Sequence, residues 1–322
     1  MKIALTIPSN GAGLYAWTGW SNAFKSLGHT VENWSPPIFR SDPLDCDLLI
    51  CSTSCPENTF IEWRKNHPDK KIALNVLAWT DEDIGGIHNA GVQATPGNVG
   101  YARDLKPDVV FAQYGEKWRV PLLKNWAKEG YKLSSMMMAV DSIVYKVDDT
   151  DTSMISPIVY CGGYWGYKAQ NIDKYLLPLF RKYRDQLYLI GKGWPMMTNS
   201  DISEQAIANL YRNSIICPNV HEPHSNFGYD IVERCFKVPY CGGLLISDYV
   251  EEMIDVGFKD GINCFICKDP KEYTERFEEI LQNPTKYDDV RKTGQVFISS
   301  QHTYVDRAKV LLRDIYGEKV PE

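Results

Sequence analysis

Short apolar runs alternate with amphipathic stretches along the first 140 residues. KIALTIP (2–8), DLLICS (47–52), KIALNVLAW (71–79), DVVFAQ (108–113) and SSMMMAV (134–140) are compact and bounded by polar turns, as strands buried on both faces are. Between them, LYAWTGWSNAFKSLG (14–28) and EKWRVPLLKNWAKEG (116–130) carry apolar residues at helical spacing. Strands alternating with helices predict a parallel sheet covered on both sides. VDDTDTSMISP (147–157) is acidic and periodless and reads as a linker. The rhythm then restarts with PIVYCGG, YLLPLFRKY, QLYLIGKGW, EQAIANLYRN and SIICPNV, and runs on through PYCGGLLISDYVEEM to QHTYVDRAKVLL. Two Rossmann-like α/β domains follow, residues 1–150 and 151–322, with the cleft between them as the expected ligand site.

A length of 322 residues suits two domains of ordinary size. The net charge of −6 lowers the expectation of a nucleic-acid or anionic-membrane partner. The amino terminus reads as a first strand rather than a signal peptide. No stretch approaches the roughly 20 apolar residues of a membrane span, so a soluble, cytoplasmic protein with no membrane insertion is expected. Nine cysteines are scattered through apolar segments, and the Cys264–Cys267 spacing falls inside a strand pattern, so they read as small hydrophobes.

Glycine-bearing turns after strands are the candidate chemistry, because ligands bind at the carboxyl ends of parallel strands. PSNGAGLY (8–15) places Gly11 and Gly13 between a strand and a helix, without the third glycine of a dinucleotide fingerprint. A plain tight turn is the alternative there, and an NAD-dependent oxidoreductase finds little support. YCGGYWGYKAQ (160–170) offers Gly162 and Gly163 to a diphosphate, with Lys168 to offset charge. LIGKGW (189–194) offers Lys192 as a cation, and Trp194 as a ring that stacks on a base or packs. In PNVHEPHSNFGYDIVERC (218–235), Asn219 and His221 are candidate polar donors to a diphosphate or sugar. His221 and His224 lack a third ligand, so no metal site is expected.

The resemblance lies in PYCGGLLISDY, in the closing run NPTKYDDVRKTGQVFISSQHTYVDRAKVLL, in LIGKGW, and more loosely in KPDVVFAQYGEKW…MAVD. Together, in this order, they resemble the CgeB-like glycosyltransferases of GT-B architecture. The resemblance implies two Rossmann-like domains, with a closing helix that packs back on the amino-terminal one. It implies transfer of a sugar from a nucleoside diphosphate sugar, a UDP-sugar foremost, with no tightly bound cofactor. The acceptor would be a hydroxyl of a glycan, a small molecule, a protein or a modified DNA base. One departure matters. The family's R-x-F-E is Arg234-Cys235-Phe236-Lys237 here, so Lys237 replaces the carboxylate expected to take the donor ribose.

Glu233, one turn earlier, could substitute for that carboxylate or could pair with Lys237. Aligned instead with the paired glutamates of broader retaining families, Glu233 is the second and Ser225 stands at the first. Asp248, with Glu251 and Glu252, follows a strand end and is a candidate for donor hydroxyls. His302 is expected to anchor the closing helix. Asp81 and Asp83 in AWTDEDIGG resemble the family's acidic pair and are the expected catalytic groups for activating the acceptor. Lys117, Arg119, Lys124 and Lys128 form the basic patch that a DNA acceptor would need. A non-catalytic sugar-nucleotide-binding protein is the remaining alternative, motivated by Lys237.

Overall fold

A computed structural model describes residues 1–6, 11–34, 45–53, 58–76, 96–117, 123–147, 155–199, 202–223 and 231–318. Its elements fall into two compact units, one of residues 1–141 with 304–322, the other of 142–303.

The first unit runs β1 (Lys2–Leu5), α1 (Gly11–Ser26), β2 (Thr30–Asn33), β3 (Leu48–Ser52), α2 (Asn58–Asn66), β4 (Lys71–Asn75), α3 (Pro96–Leu105), β5 (Val109–Ala112), α4 (Lys124–Lys128) and β6 (Leu133–Ser135). The strands form one parallel sheet in the order β2-β1-β3-β4-β5-β6. β3 is buried along its whole length, which is why LLICS shows no polar alternation. Of the helix expected over 116–130, residues 116–117 and Lys124–Lys128 are helical, and 118–122 lie outside the described residues.

The second unit runs β7 (Ile158–Cys161), α5 (Gly166–Tyr175), α6 (Leu177–Lys182), β8 (Leu187–Ile190), α7 (Glu204–Arg212), β9 (Cys217–Asn219), α8 (Arg234–Tyr240), β10 (Leu245–Asp248), α9 (Glu251–Asp255), β11 (Phe265–Cys267), α10 (Pro270–Gln282) and α11 (Asp288–Gln301). β11-β10-β9 and β7-β8 are parallel ladders. A parallel bridge between Ile158 and Ile216 joins them, giving the order β11-β10-β9-β7-β8. Strand order therefore reverses between β7 and β9, which makes a topological switch point. Cys264 and Cys267 are buried free thiols beside and within β11. No helix among the described residues is long and apolar enough to cross a membrane.

The chain then returns to the first unit in α12 (Tyr304–Tyr316). Tyr304, Ala308, Leu311 and Leu312 enter the core formed by Ile3, Leu5, Trp20 and Phe24. The Tyr304 amide donates to Val140 O at 3.0 Å, and buried Arg307 donates through Nε to Met137 O at 3.1 Å. Tyr304 and Arg307 of the closing H-T-Y-x-x-R pattern thus fasten a helix. His302, also buried, ends α11 with its ring against Phe236 and Phe297.

Tyr304 lies so close to α1 that a Cβ on Gly19 would sit 2.4 Å from its ring. Alanine raises helix propensity by about 1 kcal/mol over glycine, but overpacking a core costs about 1–3 kcal/mol. Because the Tyr304 ring is 1% exposed and has no room to retreat, the clash wins. Gly19→Ala is expected to destabilise by about 1–2 kcal/mol in a denaturant titration, and Tyr304→Leu in the same chain to recover part of the loss.

Candidate functional site

All the strands of the second unit are parallel, so their carboxyl ends share one edge. Gly162 and Gly163 follow β7, Lys192 and Trp194 follow β8, Asn219 ends β9 with His221 two residues on, and Asp248 ends β10. Residues up to 86 positions apart are thereby brought to one edge of the sheet.

The two glycine turns are built on each other. Gly162 N donates to Ile190 O and Tyr164 N to Lys192 O, both at 2.8 Å, so the ladder continues past the strand ends. Gly191 has φ +135° and Gly193 φ +84°, a region that favours glycine. A Cβ at Gly191 would lie 2.2 Å from Gly162 O, and one at Gly193 would lie 2.1 Å from Tyr164 O. Trp194 is 9% exposed and packs against Tyr160, Tyr164 and Phe180. Its indole N–H donates to Gly162 O at 2.8 Å. The ring is therefore part of the core and holds the β7 turn, where a stacking platform for a base would have needed an open face. Lys192 is exposed on the adjoining turn.

Asn219 and His221 are fully buried. The Asn219 side chain donates to Ser247 Oγ at 2.9 Å and accepts from Arg234 Nη1 at 2.5 Å. Its backbone N–H and C=O both meet the Tyr273 hydroxyl. His221 Nδ1 donates to Asp248 Oδ1 at 2.7 Å, its amide reaches both carboxylate oxygens, and Nε2 faces the Cys235 thiol at 3.6 Å. Burial alone pulls the imidazole towards its neutral form. The Asp248 carboxylate and Cys235 outweigh this and push its pKa up to about 10, so His221 and Asp248 form a buried ion pair. Both were expected to face a ligand; instead they hold β9 to β10.

Arg234, at the start of α8, spans the switch point. Its Nε donates to Cys161 O at the end of β7 and its Nη1 to Asn219 Oδ1 at the end of β9. The guanidinium lies 4.2 Å over the Tyr160 ring. Its Nη2 approaches the turn so closely that a Cβ at Gly162 would sit 2.2 Å away.

The comparisons with known proteins bear on this edge. Residues 174–313 match the model of the glycosyl transferase-like family. No curated protein matches the chain in sequence. Among solved structures, the chain is similar to HepE (Alr3699) of Anabaena bound to UDP-glucose, at 13% identity and TM-score 0.58 over 97% of this chain and 98% of that one. It is similar to an α-glucosyltransferase bound to UDP and a 13-mer DNA, at 14% and 0.64 over 98% of each. It is also similar to the catalytic domain of starch synthase IV from Arabidopsis thaliana bound to ADP and acarbose, at 10% and 0.61 over 98% of each. The α/β fold is of the GT-B type. The glycosyl transferase-like match spans most of the second unit and runs into α12.

Within the matched segment Glu233 Oε2 meets Lys237 Nζ at 2.9 Å, both side chains nearly buried. Lys237 also lies 4.7 Å over the Tyr145 ring. Burial opposes its charge, but Glu233 and Glu204 prevail and the lysine pKa is raised. The pairing expected as the alternative for Glu233 is thus present. Lys168, expected near a diphosphate, pairs with Glu222 at 2.9 Å in a buried setting.

Gly11 and Gly13 fall inside the first turn of α1 and not in a loop ahead of it. Asp81, Asp83, Ser225 and Arg119 lie outside the described residues. Among the described residues no group of three or more His, Cys, Asp and Glu side chains is arranged to hold a metal ion. A cavity of about 420 Å³ lined by Arg212, Gly242 and Arg291 opens at the opposite, amino-terminal edge of the sheet, away from the switch point.

Sequence reasoning passed over Arg234. R-x-F-E pointed to it, but the missing acid at Lys237 drew attention to Glu233.

Raising the His221 pKa above its unfolded value makes the pair's stabilisation complete below about pH 6.5 and lost as pH rises through about 10. Asp248→Asn leaves the buried imidazole without its counter-ion and is expected to cost about 3–5 kcal/mol. Paired denaturation curves at several pH values should show this deficit in full at neutral pH and shrinking towards pH 10.

Proposed function

We propose that this protein transfers a sugar from a nucleoside diphosphate sugar to an acceptor hydroxyl, with the donor at the carboxyl edge of the second unit. The observation that carries this reading is the pair of interlocked glycine turns beside the β7/β9 switch point, the Gly191–Gly193 turn inside the segment that matches the glycosyl transferase-like model and the Gly162–Gly163 turn just ahead of it. Backbone amides of such turns suit phosphate oxygens, and exposed Lys192 adds a cation on the same edge. UDP is the nucleotide favoured, since UDP or UDP-glucose accompanies two of the similar folds. Lys192 and the Gly162–Gly163 turn are assigned to the donor diphosphate. Asn219, His221, Asp248 and Trp194 shape that edge from beneath.

Glu233 enters this reading as half of an ion pair. A ribose hydroxyl would be recognised by the Glu233–Lys237 pair together, as acceptor and donor. In the reaction the acceptor oxygen bonds to the anomeric carbon, and the bond from that carbon to the diphosphate oxygen breaks. The nucleoside diphosphate leaves with the electron pair. Asp81 or Asp83 takes the acceptor proton, acting as general base.

Thermal-shift measurements against UDP-, GDP-, ADP- and dTDP-sugars test the donor assignment. At 100 times the dissociation constant the bound nucleotide adds about 2.7 kcal/mol of stability, and the UDP series is expected to give the selective shift. No shift with any nucleotide would overturn the reading. Asp81→Asn and Asp83→Asn separate the second assignment. At least one is expected to lower kcat about 10²–10⁴-fold, with the melting shift from the donor unchanged. Wild-type kcat in both single variants and in the double variant would remove the acidic pair from catalysis.

A further inference from the structure

We propose that Arg234 is the counter-ion of the donor diphosphate, offering Nη2 to a phosphate oxygen through the Gly162–Gly163 turn. The inference rests on the donor reading for the identity of the ligand, and on charge and geometry for the site.

Three carboxylates on this edge each hold a cation. Asp248 holds His221 at 2.7 Å, Glu222 holds Lys168 at 2.9 Å, and Glu233 holds Lys237 at 2.9 Å. These three pairs are neutral overall. Arg234 is the cation left over: it is 8% exposed, and among the described residues it has no carboxylate within ion-pair distance. Among the side chains that act on it electrostatically are Tyr160, Tyr211, Cys161 and Cys235, none of them a carboxylate.

An arginine stays protonated, and a buried charge without an opposite charge is costly. An anion arriving at Nη2 relieves that cost, so the site favours the anion-bound state.

The position is as specific as the charge. Two of the guanidinium nitrogens are committed, Nε to Cys161 O and Nη1 to Asn219 Oδ1. Stacking on Tyr160 fixes the plane. Nη2 makes no hydrogen bond among the described residues and lies against Gly162, where any side chain would displace it. A preorganised donor behind a glycine turn, at the switch point of a parallel sheet, is suited to the negative charge that grows on a departing diphosphate. The same geometry explains why Gly162 must be glycine although its φ is not in the left-handed region.

Calorimetric titration with inorganic pyrophosphate, UDP and uridine, on wild type, Arg234→Met, Arg234→Lys and Gly162→Ala, tests the assignment. Uridine lacks the phosphates and reports the rest of the nucleotide site. Arg234→Met is expected to weaken UDP and pyrophosphate about ten- to hundredfold, as loss of a charge-assisted hydrogen bond does, and to leave uridine unchanged. Arg234→Lys should recover part of the loss. Gly162→Ala keeps the cation and blocks it, so it should reproduce the Arg234→Met pattern even if that variant proves too unstable to assay.

A merely structural arginine would lower the melting temperature without ligand and leave the ratio of UDP to uridine affinity unmoved. That outcome, in either Arg234→Met or Gly162→Ala, overturns the proposal while the donor reading stands. Arg234-dependent binding of pyrophosphate without binding of any nucleotide would support the anion site and sink the donor reading. Absence of all binding by wild type would sink both.

Discussion

The carboxyl edge of the second unit depends on one guanidinium that ties together the ends of two strands where the strand order reverses. β7 and β9 are neighbours in space, joined by a single bridge at Ile158–Ile216, and chain connections leave them in opposite directions. Strands that diverge in this way open a crevice. Arg234 closes its floor with Cys161 O on one side and Asn219 Oδ1 on the other. Asn219 is in turn fixed by Ser247 and Tyr273, and His221 by Asp248. Arg234 and Asn219 thus link β7 and β9 into a network that extends to β10.

The alternation of apolar runs with helical patterns was enough to read two parallel α/β units, because burial on both faces leaves a strand no polar positions to blur the signal. Strand ends were legible for the same reason, and glycines at 162, 163, 191 and 193 marked the turns. Partnerships were not legible. His221 and Asp248 are 27 residues apart, and Arg234 lies 73 residues from Cys161. No local periodicity reports such pairs. A polar residue at a strand end reads as a ligand contact in sequence whether it faces outwards or, like Asn219, is fully buried. Glu233 and Lys237 were the exception, since a spacing of four on one helix brings both to one face.

The closing helix shows what a motif can and cannot say. H-T-Y-x-x-R is polar enough to suggest chemistry, yet Tyr304 and Arg307 are buried against the first unit and give their polar atoms to backbone carbonyls and a methionine sulfur. Gly19 on α1 is small because Tyr304 needs its space. The sequence places these two residues 285 positions apart, and only the fold turns them into one packing decision.

Net charge misleads in the same way. At −6 the whole chain argues against anionic partners, but a ligand responds to the field where it binds. Around the switch point three acid–base pairs cancel locally, and Arg234 and exposed Lys192 add positive charge to that field. Neutral pairs at fixed distances also reorient little when a charge arrives, so they support a preorganised potential rather than screening it. A surface with the same number of unpaired, mobile side chains would lose that advantage to reorganisation and solvent. The substitution of Lys237 for an expected carboxylate fits this arrangement: it turns Glu233 into half of a neutral pair, beside an arginine that among the described residues has no carboxylate within ion-pair distance.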